Sequence, residues 1–178
     1  MIHLITVVGK SAKDFYLNQQ CISDFKSLMR TVTSGRVMII STKFRSDLFY
    51  VSQKVKNDSI LKLWAFYANT NLSSLNMKDF ITSTGDENSL SMYFQSMNTL
   101  SVNWHHYNVY KKVFNDTFRS DHQNPVAKTV AQCDQHLIEH PSITRTALTS
   151  SNNNTNSKLL KDTYALAMRI ISNQTLSN

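Results

Sequence analysis

The chain contains very little glycine, proline and cysteine for its length of 178 residues: three Gly, two Pro and two Cys. Tight turns and phosphate-binding loops depend on glycine, because its backbone tolerates positive φ angles. Folds with many hairpins or glycine-rich nucleotide loops are therefore disfavoured. Glutamate is equally scarce, at Glu87 and Glu139, which leaves little material for catalysis by paired carboxylates. The composition predicts a helix-rich protein that is not an enzyme.

Long apolar segments are missing as well. Nowhere do about 18 apolar residues run together, and the apolar residues 2–8 lack the preceding basic region of a signal peptide. The two cysteines, Cys21 and Cys133, lie far apart on apolar helix seams, so we expect two reduced, unpaired thiols rather than a disulfide. These features predict a soluble cytoplasmic protein without membrane contact.

Positive charge is in excess, with 19 Lys and Arg against 12 Asp and Glu and a net charge of +7. Residues 1–70 contain 10 of the basic residues and 4 of the acidic ones, a net of +6, whereas residues 121–178 contain 5 and 4. A basic surface favours an anionic partner, either nucleic acid or an acidic protein surface. We expect that surface to include the basic side chains of the first 70 residues, which centre on Lys43, Arg45, Lys54, Lys56 and Lys62.

The first 70 residues have the pattern of a small α/β unit. Residues 2–8 form a short apolar run typical of a buried strand, and residues 36–42 form a second one. Between them, apolar residues at helical spacing predict a helix capped by Ser11, so the order is compatible with a parallel crossover unit. The spacing of Leu48, Val51 and Val55 indicates another helix beginning at Ser46. Residues 60–68 fit both a strand and a helix, and we favour the strand.

Residues 71–178 are predicted to form a helical region after a polar junction at residues 69–76. Helical spacing marks residues 86–100 and 104–118, a third helix beginning at Pro125 and ending before Pro141, and a last helix through residue 171. The expected fold class is α+β and predominantly helical, with a strand-helix-strand unit at residues 1–70 followed by helices. The large apolar residues predicted to be buried are Trp64, Phe94, Phe114, Leu137, Leu160 and Ile171.

Residues 131–171 contain a helix, a short helix, a polar turn and a final helix. Their apolar spacing resembles the helix-turn-helix core of winged-helix and related DNA-binding domains. The turn, residues 150–154, lacks the usual small residue, and too few residues follow the last helix for a wing. In such domains the last helix enters the major groove, where Asn reads adenine and Lys neutralises phosphate. The resemblance implies contacts from Arg145, Asn154, Thr155, Asn156, Lys158 and Lys161. The alternative is a helical hairpin that only completes the core.

Two further motifs suggest chemistry but lack essential parts. His136, Glu139 and His140 have the H-x-x-E-H spacing of a class of zinc hydrolases, but no downstream Glu can serve as the third ligand. Residues 7–11, VVGKS, follow a strand as a phosphate-binding loop does, but Leu4 occupies the position of the required first glycine. We expect neither a metal nor another cofactor.

Three functions remain open from the sequence. The first is a non-catalytic nucleic-acid-binding protein, regulatory or architectural, that contacts DNA, expected to be double-stranded, through residues 131–171 and through Lys54, Lys56 and Lys62. The second is an interaction protein, such as an inhibitor or adaptor from a mobile element or pathogen, whose basic face docks on an acidic partner. The third, a small zinc-dependent hydrolase, depends on the histidine motif alone.

Overall fold

A four-stranded antiparallel sheet lies between two layers of helices in the computed structural model, which describes residues 1–33 and 37–139. The strands are β1 (Ile2–Val8), β2 (Val37–Ser41), β3 (Arg45–Val51) and β4 (Phe80–Thr84). The helices are α1 (Gly9–Asp14), α2 (Gln19–Val32), α3 (Asn57–Tyr67), α4 (Asp86–Ser101), α5 (Trp104–Ser120) and α6 (Pro125–Glu139). Two short 3-10 helices, Leu72–Ser74 and Met77–Asp79, connect α3 to β4. The architecture confirms the expected α+β class.

The strand order is β2-β3-β1-β4, and every pairing is antiparallel. Because β3 runs opposite to both β1 and β2, these two strands run parallel to each other, as the strand-helix-strand pattern predicted. They are not neighbours, since β3 is inserted between them. The β2–β3 hairpin turns through residues 42–44, with the Thr42 amide donating to the Arg45 carbonyl.

Side chains alternate between the two faces of the sheet, as the period of a strand requires. On one face Ile5, Val7, Leu48 and Tyr50 pack with α1, α2 and α3 around the buried Trp64. We call this the Trp64 face. On the other face Leu4, Met38 and Phe49 pack with α4, α5 and α6. We call this the Tyr110 face, after the tyrosine of α5 buried in it. Both faces are covered, which explains why β1, β2 and β3 are apolar along most of their length.

The secondary structure predicted for residues 46–68 is wrong in both of its parts. The segment from Ser46 onward, expected to be helical, lies in β3 as far as Val51, and the position of β3 between β1 and β2 buries every residue from Arg45 to Tyr50. Residues 60–68 were expected to be a strand, but residues 60–67 belong to α3, which buries Ile60, Leu61, Trp64 and Ala65 at helical spacing. Neighbours in the fold, rather than local spacing, determine both elements.

The N-terminal helix is divided in two. Residues 11–34 were expected to form one helix capped by Ser11, but α1 ends at Asp14 and α2 begins after Asn18, whose side chain accepts a hydrogen bond from the Cys21 amide. The Ser11 side chain makes no capping bond. An asparagine is among the best residues at this capping position, so the local chemistry explains the new helix start.

The helical region agrees with the predicted starts of α4, α5 and α6, and it also contains a strand that was not predicted. Phe94 and Phe114 are buried, as is Trp64 before them. β4 precedes α4 and adds a fourth strand to the sheet beside β1. The side chain of Leu137, together with Leu160 and Ile171, lies outside the described residues. Within the described ranges, no helix is long and apolar enough to cross a membrane.

Candidate nucleic-acid interface

Most of the residues predicted to contact DNA lie outside the described part of the chain. These are Arg145, Asn154, Thr155, Asn156, Lys158 and Lys161, so the helix-turn-helix assignment stays a prediction. Lys54 and Lys62 are described and exposed, whereas Lys56 is partly buried where α3 begins. These three lysines lie at the end of β3 and on α3, on the Trp64 face.

Arg45, which the sequence placed in the basic surface, is buried. Its exposed fraction is 2%, and that of Asp47 is 0%. The Arg45 guanidinium donates from Nε to Asp47 Oδ2 at 2.6 Å and from Nη2 to Asp47 Oδ1 at 2.9 Å. Nη2 also donates to Ser96 Oγ at 2.7 Å. Arg45 therefore cannot reach a phosphate, and its positive charge is neutralised inside the Tyr110 face.

The remaining acceptor capacity of Asp47 is filled by hydroxyl groups. Thr6 Oγ1 donates to Oδ1 at 2.6 Å and the Tyr110 hydroxyl donates to Oδ2 at 2.5 Å. Burial opposes the charge of Arg45, but Asp47 outweighs it and raises the pKa of the guanidinium. Burial, and then the negative charge of Asp47, raise the pKa of Tyr93 and Tyr110 well above 10.0. We call this set of groups the Arg45–Asp47 network; its ion pair is buried and both partners are hydrogen-bonded to further side chains, which is the arrangement of a structural network.

The VVGKS turn is occupied by a carboxylate of the protein itself. Gly9 has a φ of +63°, and Ser11 donates from its amide and its hydroxyl to Asp79 Oδ2 at 3.1 and 2.9 Å. A Cβ at Gly9 would lie 3.0 Å from Asp79 Oδ1, so the turn is closed over this side chain. Asp79 takes the place that a phosphate would need.

The predicted zinc motif cannot be evaluated from the described side chains. His136 and Glu139 belong to α6, but their side chains and His140 lie outside the description. Among the residues whose side chains are described, no three His, Cys, Asp or Glu are grouped so that they could hold a metal ion.

A groove of about 370 Å³ opens where the β2–β3 turn meets the loop before α2 and the first half of α5. The lining residues are Tyr16, Ser41, Thr42, Lys43, Phe44, His105, His106, Val109 and Val113. We call it the aromatic groove, because four of its side chains carry flat rings. Phe44 stacks on His106 with centroids 4.2 Å apart and planes inclined by 10°. The Lys43 amine lies 5.9 Å from the centre of the Tyr16 ring.

The polar groups of the aromatic groove differ in their availability. Ser41 Oγ accepts from the Leu17 amide at 3.0 Å and bonds Ser46 Oγ at 2.9 Å. Thr42 Oγ1 donates to the Arg45 carbonyl at 2.6 Å. Both hydroxyls are thus engaged within the fold, which leaves no activated nucleophile. Lys43 and His105 are exposed, and no carboxylate lines the groove. The groups that the aromatic groove can offer to a ligand are therefore positive charge and the faces of aromatic rings.

Sequence reasoning could not assemble this groove. His105 and His106 directly follow Trp104 in the sequence, and the structure shows that the Trp104 side chain is 70% exposed. The sequence could not bring Tyr16 and Lys43 to that segment, because their proximity depends on the pairing of β2 with β3 and on the packing of α5 against β2. The aromatic groove and Lys54 lie at opposite ends of β3, about 20 Å apart.

Comparison of the chain with known protein families, with characterised proteins and with solved structures gives no match.

Proposed function

We propose that this protein binds nucleic acid without catalysing a reaction, and that the aromatic groove is a contact surface for unpaired bases. The single observation that carries the proposal is the composition of the groove: four ring side chains and an exposed lysine, without a carboxylate. Stacking of a base on an aromatic ring contributes about 1 to 3 kcal/mol, and a neighbouring cation attracts the phosphate that follows. Rings and positive charge together are the two elements of a single-strand binding surface.

The arrangement of the groove favours a single strand over a duplex. Base faces become available for stacking only when they leave the helical stack, and the groove presents ring faces rather than a helix shaped for the major groove. Contact with double-stranded DNA through Asn154, Asn156, Lys158 and Lys161 is a separate part of the proposal and depends on the helix-turn-helix resemblance.

The proposal places the protein in the cytoplasm. Its two cysteines support this, because Cys21 and Cys133 are both unpaired. Free thiols are the usual state in a reducing compartment.

The test is fluorescence anisotropy with labelled single-stranded DNA, single-stranded RNA and duplex DNA over a range of salt concentrations. Tyr16→Leu removes an exposed ring while preserving apolar volume, and should weaken single-strand binding about 5- to 150-fold if a base stacks there. Lys43→Gln should weaken binding. It should also make the slope of log affinity against log salt concentration shallower by about 0.7, the contribution of one phosphate on a single strand.

Lys62→Gln is the matched control, because Lys62 is also exposed and its replacement changes the net charge equally. Equal losses from Lys43→Gln and Lys62→Gln would show that only net charge matters and would refute the groove. If instead Lys54→Ala, Lys56→Ala and Lys62→Ala abolish binding, the contact surface is the end of β3, and docking of a basic face on an acidic protein becomes the leading account. Loss confined to duplex binding by Lys158→Ala and Lys161→Ala would support the helix-turn-helix.

A further inference from the structure

A further exposed ring, that of Trp104, lies beside the aromatic groove at the start of α5. Trp104 is 70% exposed, although tryptophan is on average among the more deeply buried residues. Tryptophan is enriched at interfaces, because its ring offers a large contact area and loses little conformational freedom on binding. The Trp104 indole is therefore a candidate contact for a ligand.

Local hydrogen bonds fix where α5 begins and hence where the Trp104 ring projects. Asn103, the N-terminal capping residue, accepts at Oδ1 from the His106 amide at 3.1 Å, and its own amide donates to the Leu100 carbonyl at 3.0 Å. The Trp104 ring lies against Tyr107, with centroids 6.3 Å apart and planes inclined by 25°. A ring positioned in this way needs little ordering when a ligand stacks on it.

Trp104 is continuous with the aromatic groove. Its neighbour His105 lines the groove, and the two Cα atoms are about 3.8 Å apart, as across any trans peptide. Their side chains project about 100° apart around the helix axis. Phe44 already stacks on His106, which leaves Tyr16 and His105 as the exposed rings of the groove. A strand that leaves the groove past His105 therefore meets Trp104 next.

Positive charge lies on both sides of this path. Asn108 and Lys112 follow Trp104 at intervals of four residues, so the three exposed side chains form one ridge on the outer side of α5. Lys112 lies about 12 Å from Trp104 along the helix axis. Lys43 extends from the wall of the groove that the β2–β3 turn forms. The phosphates of a strand that follows the groove therefore meet a cation on each side.

Carboxylates of the neighbouring helices α4 and α6 do not oppose this path. Asp86 and Glu87 lie in the first turn of α4, about 22 Å along that helix from its end, where the chain turns into α5. Burial, and then the negative charge of Asp134, raise the pKa of Tyr107, but the Asp134 carboxylate already forms an ion pair with Lys111. The first turn of α5 thus faces a neutralised ion pair rather than a free negative charge.

We infer that a base of the bound strand stacks on Trp104, next to the bases in the aromatic groove, so that the contact surface continues around the first turn of α5. The inference rests on the proposed function and adds a second stacking position to it. It also defines the class of ligand as an unpaired segment of several nucleotides, since a free mononucleotide has one base and cannot occupy both positions.

The first experiment uses the fluorescence of the two tryptophans in the chain. Trp64 is 0% exposed and Trp104 is 70% exposed, so acrylamide should quench Trp104 in preference to Trp64. Addition of an oligothymidylate should lower the emission of Trp104 and protect it from acrylamide, because a stacked base covers the ring. Trp104→Phe is the control: it leaves Trp64 as the emitter, and the oligothymidylate should then cause no change.

The second experiment is fluorescence anisotropy with labelled oligothymidylates of increasing length. The affinity of the unaltered protein should rise when the strand becomes long enough to reach Trp104. Trp104→Leu should remove that rise and weaken the binding of long strands about 5- to 150-fold. Phe66→Leu is the matched control, because Phe66 is 77% exposed but lies on α3 in the other helical layer. It should leave the affinity unchanged.

An affinity for long strands that Trp104→Leu leaves unchanged overturns the inference, as do equal losses from Trp104→Leu and Phe66→Leu. If Tyr16→Leu still weakens binding in that case, the proposed function holds without the second stacking position. Absence of binding to any single strand refutes the proposed function and the inference together. Retained circular dichroism of each variant shows that the fold is present.

Discussion

The two helical layers cover opposite faces of one sheet but stabilise it in different ways. The Trp64 face is mainly apolar, and the Trp64 indole satisfies its one donor on the Phe15 carbonyl at 2.9 Å. Its buried polar side chains include His3, Ser41 and Ser46, each hydrogen-bonded within the fold. The Tyr110 face surrounds the Arg45–Asp47 network, an ion pair with exposed fractions of 2% and 0%. The first face depends mainly on filled volume, whereas the second also depends on a buried ion pair in which each charge needs the other. One sheet thus shows both kinds of core.

The largest effect is expected from breaking the ion pair on one side only. Asp47→Ala leaves the Arg45 charge buried without a counter-charge and should lower the free energy of unfolding by about 3 to 5 kcal/mol. Replacing both partners, with Arg45→Met and Asp47→Leu, should recover part of that loss, because the buried charge is gone but the Thr6 and Tyr110 hydroxyls lose their acceptor. Denaturant unfolding measures both, with exposed Asp24→Ala as the control. A double variant no more stable than Asp47→Ala would mean that an unpaired Arg45 charge is not the main cause of the loss.

A slightly smaller effect is expected from the apolar face. Met29→Ala leaves a cavity beside α2 and should cost about 2 to 5 kcal/mol, because Met29 is fully buried. Its neighbour Leu28 is 36% exposed and provides the control. Leu28→Ala should change the free energy of unfolding much less. Equal losses at the two positions would show that the Trp64 face is less tightly packed than its burial indicates.

The smallest effect concerns the two buried phenols of the Tyr110 face at alkaline pH. The raised pKa values of Tyr93 and Tyr110 mean that the unfolded chain loses these protons first. Their contribution to stability is therefore complete below about pH 10 and is lost as the pH rises above it, by about 1.4 kcal/mol per pH unit for each phenol. Tyr93→Phe should make this decline shallower in unfolding experiments at alkaline pH. An unchanged slope would indicate that Tyr93 ionises in the folded protein without cost.

The sequence predicted elements best where one side of an element faces solvent. α5 has polar and apolar faces, and both its start and its buried Phe114 were predicted. Prediction from the sequence failed at β3, where Arg45, Ser46 and Asp47 are polar but buried. The spacing of the apolar residues Leu48, Val51 and Val55 resembles that of a helix. A strand covered on both faces has no amphipathic pattern to detect.

The candidate site was less predictable than the fold. Charge counting placed Lys43 and Arg45 in one basic surface, but their side chains separate: Lys43 is exposed at the aromatic groove, and Arg45 is enclosed by the Tyr110 face. Neighbouring residues in a hairpin point in different directions, which a count of charges cannot represent. The ring partners Tyr16 and His105 are distant in sequence, so only the folded sheet brings them together.

The central position of β1 has a consequence for the rate of folding. This strand is the first along the chain, yet its partners are β3, which begins at Arg45, and β4, which ends at Thr84. Neither edge of β1 can form from local contacts, so the chain must close two long loops before the sheet is complete. We therefore expect folding on the slow side for a chain with this much helix, with α2 and α5 able to form earlier than the sheet on which they pack. During that interval the backbone edges and the apolar side chains of β1 are both uncovered, and refolding yield should fall as protein concentration rises.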